Sequence, residues 1–164
     1  MNTLDAIEKR HSTRAFLAKP VPKEILEKIA DAGRRAPTAR NVQPWAFVLV
    51  TDGGMRGKLA ALAETGRFIA DAPACLAVFC RDTKYYIEDG CAAVENILLA
   101  ATALGVQSCW VAGDKKPYAA EVARLLGAPG DHKLIALLPL GYAATPGKST
   151  ARRPLADILH REKF

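Results

Sequence analysis

The sequence predicts a layered fold of mixed α/β or α+β class, and three observations carry that prediction. Four apolar runs of strand length are separated by segments with helical spacing. Two helices precede the first of these strands, and a long non-core tail follows the last. Those last two features are unusual for a doubly wound domain. A tail of this kind suits wrapping of another subunit, which points to a dimer.

The elements follow in order. A first helix is expected over about Leu4 to Lys9, with Asn2 or Thr3 as its cap. Pro20 and Pro22 then break the chain, and Pro22 is placed to open a second helix. That helix sets Ile25, Leu26, Ile29 and Ala30 on one face and Lys23, Glu24, Glu27 and Lys28 on the other, and ends before Pro37. Thr38 to Pro44 is polar and turn-rich. Trp45–Val50 reads as a buried strand, Asp52-Gly53-Gly54 as a turn, and Met55–Glu64 as a helix. Cys75–Cys80 is a second strand, and a long helix spans about Ile87 to Leu104, closed by Gly105. Val106–Ala112 predicts a third strand, Pro117–Leu126 a helix closed by Gly127, and Leu134–Leu140 a fourth strand. After Gly141 the chain is Ala-, Thr-, Pro- and Gly-rich through Ser149, then charged to its end.

The chain has 164 residues, which fits one domain over 1–164 with a core that needs no metal or disulfide. Its longest apolar run, Cys91 to Val106, is broken by Glu95 and Asn96 and falls short of the roughly 20 residues that span a bilayer. Met1-Asn2-Thr3-Leu4-Asp5 lacks the basic-then-apolar layout of a signal peptide, so a soluble cytoplasmic protein is expected. Cys75, Cys80, Cys91 and Cys109 match no zinc or C-x-x-C spacing and are expected to act as small hydrophobes. The net charge of +6 is gathered in three clusters, Lys9–Arg14, Arg34–Arg40 and Lys148–Lys163. No aromatic-studded strand and no clear helix-turn-helix accompanies them, so a phosphorylated small molecule suits them at least as well as a nucleic acid.

Familiar nucleotide and hydrolase motifs are missing. Asp52-Gly53-Gly54-Met55-Arg56-Gly57 fails the G-x-G-x-x-G spacing, and there is no G-x-x-x-x-G-K-[ST] loop. His11, His132 and His160 lie in separate segments, and Ser12 and Ser108 have no G-x-S-x-G context. With no strong nucleophile of its own, the chain is expected to borrow reactivity from a bound cofactor.

Four separated segments together resemble the FMN-dependent nitroreductase family. They are RHSTRAF (Arg10–Phe16), APTARNVQPWAFVLV (Ala36–Val50), SCWVAG (Ser108–Gly113), and LLPLGYA with RRPLADILHREKF (Leu137 to Phe164). The resemblance covers nearly the whole chain, as a short member. It implies an α+β, nitroreductase-like three-layer fold: a central mixed, mainly antiparallel sheet flanked by helices, with a C-terminal extension wrapping a dimer partner.

The resemblance also implies roles. Arg10, His11, Ser12 and Arg14 match positions that hold the flavin phosphate, ribityl chain and pyrimidine edge, with Arg14 near N1 and O2. Such a phosphate carries about −1.5 to −2 charge and suits guanidinium and hydroxyl donors. Pro37, Thr38, Ala39 and Asn41 match a loop that reaches over the flavin from the second subunit. Relatives often carry Ser at the Thr38 and Ala39 positions, and Ala39 offers only its backbone. Ala112 and Gly113 match a turn whose N–H groups face flavin N5 and O4, with Cys109 and Trp110 packing beneath. Trp45 is either a ligand or simply core. Arg152 matches the C-terminal cation on the phosphate. Thr150 stands where relatives often have lysine, and Lys148 and Arg153 are the two candidates to supply that charge.

Many relatives insert a helical lid after the second strand, whereas here only Arg81 to Tyr86 intervenes. An open pocket with Tyr85, Tyr86 and Phe68 as candidate walls follows. The resemblance implies a homodimer with FMN at the subunit interface and NAD(P)H as co-substrate. Hydride would pass through flavin N5 to a nitroaromatic, quinone or similar acceptor by a ping-pong route, without a catalytic side chain and without a metal. Reductive dehalogenation or flavin fragmentation on the same scaffold, and a flavin-storage or sensing module without turnover, are the alternatives.

Overall fold

The structure is a computed structural model that describes residues 1–147 and 150–164. Its helices are α1 (Thr3–Lys9), α2 (Lys23–Gly33), α3 (Gly53–Leu62), α4 (Tyr86–Ala103) and α5 (Ala119–Leu125). Its strands are β1 (Trp45–Val50), β2 (Ala74–Arg81), β3 (Gln107–Ser108), β4 (Val111–Ala112) and β5 (His132–Gly141). Short 3-10 turns cover Ala39–Asn41, Glu64–Ile69 and Leu155–Asp157.

Local chemistry sets the helix ends. Asn2 caps α1 by accepting from the Asp5 N–H at 2.9 Å, while Asp5 accepts from the Asn2 N–H in return. Asp52 accepts from the Met55 N–H at 2.7 Å and starts α3. Gly105 and Gly127 end α4 and α5 with φ of +76° and +68°, the left-handed backbone that glycine adopts without a Cβ penalty.

β2 and β5 form the centre of the sheet, in the order β1-β2-β5-β3, with β4 also on β5. All these strand pairs are antiparallel. The parallel contribution is a bridge from Ser12 to Ser108. The α+β class with a mainly antiparallel sheet therefore holds. The expected third strand over Val106–Ala112 is two short strands instead. Ser108 pairs with Leu140 and Val111 with Leu137, so Cys109 and Trp110 leave the ladder between them.

Period-two alternation sends the two sheet faces into separate cores. Leu76, Val78, Leu138 and Leu140 pack with Leu26, Ile29, Val94 and Ile97 of α2 and α4. Cys75, Ala77, Phe79 and Leu137 pack with Leu59 of α3 and Val122 of α5. The register slips between Val78 and Phe79, which pair with Ala136 and Leu134 and leave Ile135 as the extra residue. That bulge turns Ile135 and Ala136 toward the same core and Leu134 toward the other. No helix among the described residues is long and apolar enough to cross a membrane.

Candidate functional site

The Arg10–Phe16 segment is sewn onto the outer edge of the sheet. The Thr13 N–H donates to the Ser108 carbonyl at 2.9 Å, the Leu17 N–H to Tyr142, and the Ala144 N–H to Ala15. Thr13 and Phe16 are buried while Ser12, Arg14 and Ala15 are exposed. Cys109 feels the field of this segment. Burial pushes its thiol up, and Arg14, the Ser12 hydroxyl and Arg10 pull against that shift. None of the ion pairs among the described residues engages Arg10 or Arg14.

Next to these cations lie buried polar atoms with no partner among the described residues: Thr13 Oγ1, Ser108 Oγ, Gln107 Oε1 and His11 Nε2. The His11 Nδ1 sits 3.0 Å from the Lys9 carbonyl, an acceptor, so Nδ1 carries the proton of that hydrogen bond. Buried polar groups without partners are costly, so each of these four atoms calls for a partner that the described residues do not supply.

Further along the same edge, the Gly113 N–H donates to the Ile135 carbonyl at 3.0 Å. That bond makes Gly113 and Ile135 a hydrogen-bonded pair. By antiparallel alternation, the neighbouring Ala112 and Ala136 form a non-bonded pair, so the Ala112 N–H and C=O point off the free edge. The Tyr118 hydroxyl donates to the Ala112 carbonyl, which leaves the Ala112 N–H as the open donor. The Gly113 N–H, also expected at the ligand, is engaged by β5 in this chain. Gly113 is needed for another reason: a Cβ there would lie 2.7 Å from Leu134 Cγ and 2.8 Å from its carbonyl oxygen. The glycine lets β4 seat against β5.

The Pro37–Asn41 group lies elsewhere. The Thr38 hydroxyl donates to Asp89 Oδ2 at 2.8 Å, and the Ala39 N–H to Asp89 Oδ1 at 3.0 Å. The Gln43 N–H donates back to Thr38 Oγ1, and Gln43 Nε2 to Asn41 Oδ1 at 3.1 Å, leaving the Asn41 amide nitrogen free for other partners. Arg40, Asn41 and Gln43 all have left-handed backbone, at φ of 54°, 57° and 50°. Asp89 stands in the first turn of α4, whereas Arg10 and His11 line a cavity of about 570 Å³ with Thr102 from its last turn. Thirteen residues of helix separate Asp89 from Thr102, roughly 20 Å. Arg14 lines a second, separate hollow, about 710 Å³, with Arg56 and Asp71. The Pro37–Asn41 group and the Arg10–His11 group thus lie toward opposite ends of α4.

Arg152 is exposed, with its guanidinium donating to the Thr150 carbonyl at 3.3 Å and to the Thr150 hydroxyl. Arg153 is also exposed, and Lys148 lies outside the described residues. Of the expected walls, Phe68 packs against the α3–α5 core, and the Tyr86 hydroxyl donates to Asp114 at 2.9 Å. Burial and that carboxylate push the Tyr86 phenol up to about 12. Tyr85 stays exposed and lines a cavity with Arg40 and Lys84. Trp45 packs against the α2–α4 core.

Sequence reasoning missed Asp89 and Tyr118. An acidic residue in a helix's first turn is ordinary dipole chemistry, and a tyrosine before a helix reads as core. Asp89 did carry one signal: it stands in a helix that is otherwise largely apolar.

Comparison with known proteins places this geometry. The model of the nitroreductase family matches residues 7–90 and 65–142. The chain belongs to the nitroreductase family. A Methanothermobacter thermautotrophicus protein provisionally named NADH dehydrogenase/NAD(P)H nitroreductase is 32% identical over 171 residues, covering 100% of this chain and 88% of that one. A Bacteroides thetaiotaomicron structure with the same provisional name superposes with a TM-score of 0.93 at 28% identity, over 99% and 98% of the two chains. Iodotyrosine deiodinase bound to FMN and 3-iodo-L-tyrosine gives 0.88 at 25%, over 99% and 100%. This nitroreductase-family chain thus shares its α+β fold with its relatives across almost its full length.

Proposed function

We propose that the chain, as one domain over 1–164, is an FMN-dependent oxidoreductase. It would pass hydride from NAD(P)H to a nitroaromatic, quinone or similar small acceptor by a ping-pong route. The observation that carries this reading is the sheet edge itself. Unpaired cations and orphaned hydroxyls stand at one end, and the outward Ala112 N–H stands along the same edge. A phosphorylated, polyhydroxylated ligand with a flat polar ring fits that donor set. FMN, when bound, supplies the hydride-accepting and hydride-donating atom N5 that no side chain here can supply.

In this reading Arg10, His11 and Ser12 hold the phosphate and ribityl chain, and Arg14 holds the pyrimidine edge. The Ala112 amide meets the N5–O4 side, while Gly113 keeps β4 tight against β5. Arg152 joins the phosphate by swinging off Thr150, with Lys148 and Arg153 as candidate auxiliaries. Pro37, Thr38, Ala39 and Asn41 of a second copy complete the site in a homodimer. Two observations support that arrangement: the roughly 20 Å of α4 between Asp89, which holds the loop, and Thr102, beside Arg10, and the exposed apolar side chains of Leu155, Ile158 and Leu159 in the tail. The four free thiols suit a reducing cytoplasm.

The test is the visible spectrum of purified protein before and after anaerobic NADH or NADPH, followed by turnover with a quinone and a nitroaromatic. A flavin spectrum that bleaches with donor and recovers with acceptor is expected. Protein that cannot be loaded with FMN overturns the reading, and bound FMN that no donor reduces favours storage or sensing. An Arg10→Ala, Arg152→Ala double variant should lose its flavin on dialysis. Full retention would refute the phosphate assignment.

A further inference from the structure

Beside the Thr38–Gln43 loop, and lined in part by its Ala39, lies a small cavity of about 260 Å³. Arg40, Val42, Lys84, Tyr85 and Asp89 line it. Its volume lies just below the roughly 300 Å³ at which pockets begin to enclose drug-sized ligands, so it suits a single ring with one substituent.

The lining has a definite chemistry. Tyr85 and Val42 are both exposed and offer an aromatic face and an aliphatic edge. Lys84 Nζ stands 5.2 Å from the Tyr85 ring centroid, which keeps the ammonium over that face. Neither Arg40 nor Lys84 takes part in the ion pairs among the described residues. The single lining carboxylate, Asp89, is 5% exposed, and its two oxygens already accept from Thr38 and Ala39. Two available cations thus outweigh one committed anion.

A second observation is independent of the charges. Arg40, Asn41 and Gln43 hold left-handed backbone, uncommon for residues other than glycine, within four positions. A buried carboxylate from another element fixes that shape. Non-glycine residues held in this way by their surroundings cluster at ligand-binding sites.

We propose that this cavity is an acceptor subsite selecting single-ring aromatic compounds that carry a carboxylate. The ring lies against Tyr85 and Val42, and Arg40 and Lys84 take the carboxylate. The inference rests on the reading above, in which this loop reaches over the flavin of the other subunit. It adds the substrate class: an anionic aromatic acceptor in preference to its neutral analogue.

The probes are benzoate and benzamide, alike in shape and different in charge, titrated calorimetrically into the FMN-loaded protein. The variant is Arg40→Asn, Lys84→Gln, because asparagine tolerates the left-handed backbone at position 40. Benzoate should bind roughly tenfold or more tighter than benzamide in the wild type, and the variant should erase that ratio. In turnover, 4-nitrobenzoate should lose its advantage in KM over 4-nitrobenzamide. Equal binding of benzoate and benzamide by the wild type overturns the proposal, as does a variant that keeps the ratio. A variant that shifts the NADPH-to-NADH preference while keeping the benzoate ratio also overturns it, since the cations then serve the donor. Failure to load FMN would sink the oxidoreductase reading instead, and the benzoate titration of the unloaded chain would still report on the cavity.

Discussion

The Thr38 hydroxyl donates to the Asp89 carboxylate at 2.8 Å across 51 positions of sequence, and ties the loop before β1 to the first turn of α4. The same carboxylate accepts the Ala39 N–H, and Thr38 Oγ1 accepts the Gln43 N–H. Hydrogen bonds to a charged group contribute about 1.5–3 kcal/mol each. Asp89→Ala is expected to lower unfolding stability by at least one such increment in chemical denaturation. It should also strip hydrogen-exchange protection from the Ala39 and Gln43 amides, while Asp89→Asn recovers part of both. Unchanged protection at Ala39 in Asp89→Ala would refute the tether.

A pair of glycines separates packing from propensity. A Cβ at Gly113 meets Leu134 Cγ at 2.7 Å and the Leu134 carbonyl oxygen at 2.8 Å, and backbone cannot move aside as a side chain can. Gly113→Ala should therefore push β4 off β5 and cost about 1–3 kcal/mol. A Cβ at Gly57, inside α3, meets nothing within 4 Å. Gly57→Ala should stabilise by about 0.5–1 kcal/mol through helix propensity. Thermal melts of the two variants should move in opposite directions, and a shift of the same sign in both would contradict the structure.

Helices were legible from a capping residue in α1, a periodic face in α2 and a closing glycine in α4. So were the three longest strands, because β1, β2 and β5 are unbroken apolar runs. The break at Cys109 and Trp110 was not legible, because Val106–Ala112 is apolar enough for one strand and its register on β5 runs on unchanged from Ser108–Leu140 to Val111–Leu137. The Arg10–Arg14 cluster was visible as charge, but its orphaned neighbours Thr13 and Ser108 were not. Nothing in a hydroxyl residue's own sequence context shows that burial will leave it without a partner. Asp89 was hidden for a related reason. Its partners lie 50 and 51 positions away, and only the fold brings them together.

Burial makes stability depend on alkaline pH. The Cys75 thiol is fully buried, and desolvation raises it from its ordinary 9.0 to about 12. Above pH 9 the unfolded chain loses that proton while the folded chain keeps it, so the unfolded state binds fewer protons and stability falls as pH rises. The contribution is complete below pH 9 and shrinks by about 1.4 kcal/mol per pH unit until about pH 12. Cys75→Ala removes this dependence. The stability gap between wild type and Cys75→Ala should thus drift against the wild type between pH 9 and 11 in guanidinium titrations. A gap that stays constant over that range would show that the thiol ionises in the folded state as it does in the unfolded chain.

The tail tests the second subunit. Leu155, Ile158 and Leu159 are 66%, 49% and 52% exposed; Leu155 opens the short 3-10 turn at Leu155–Asp157, and the other two follow it. Covering one such side chain contributes about 1.5–3 kcal/mol. Changing both leucines to serine removes four of these contributions from a symmetric pair, about 6–12 kcal/mol. Forming the pair costs roughly 4–15 kcal/mol in lost freedom, so a loss of that size is enough to decide whether it persists. Leu155→Ser, Leu159→Ser is expected to run as a monomer in light scattering at micromolar concentration, where the wild type runs as a dimer. The variant should also shed FMN on dilution if, as proposed above, the Pro37–Asn41 loop of a second copy completes the site; Asp89, which holds that loop, and Thr102, beside Arg10, lie roughly 20 Å apart along α4. A wild type that is monomeric yet holds its flavin through dilution would place the complete site within one subunit and refute the exchange.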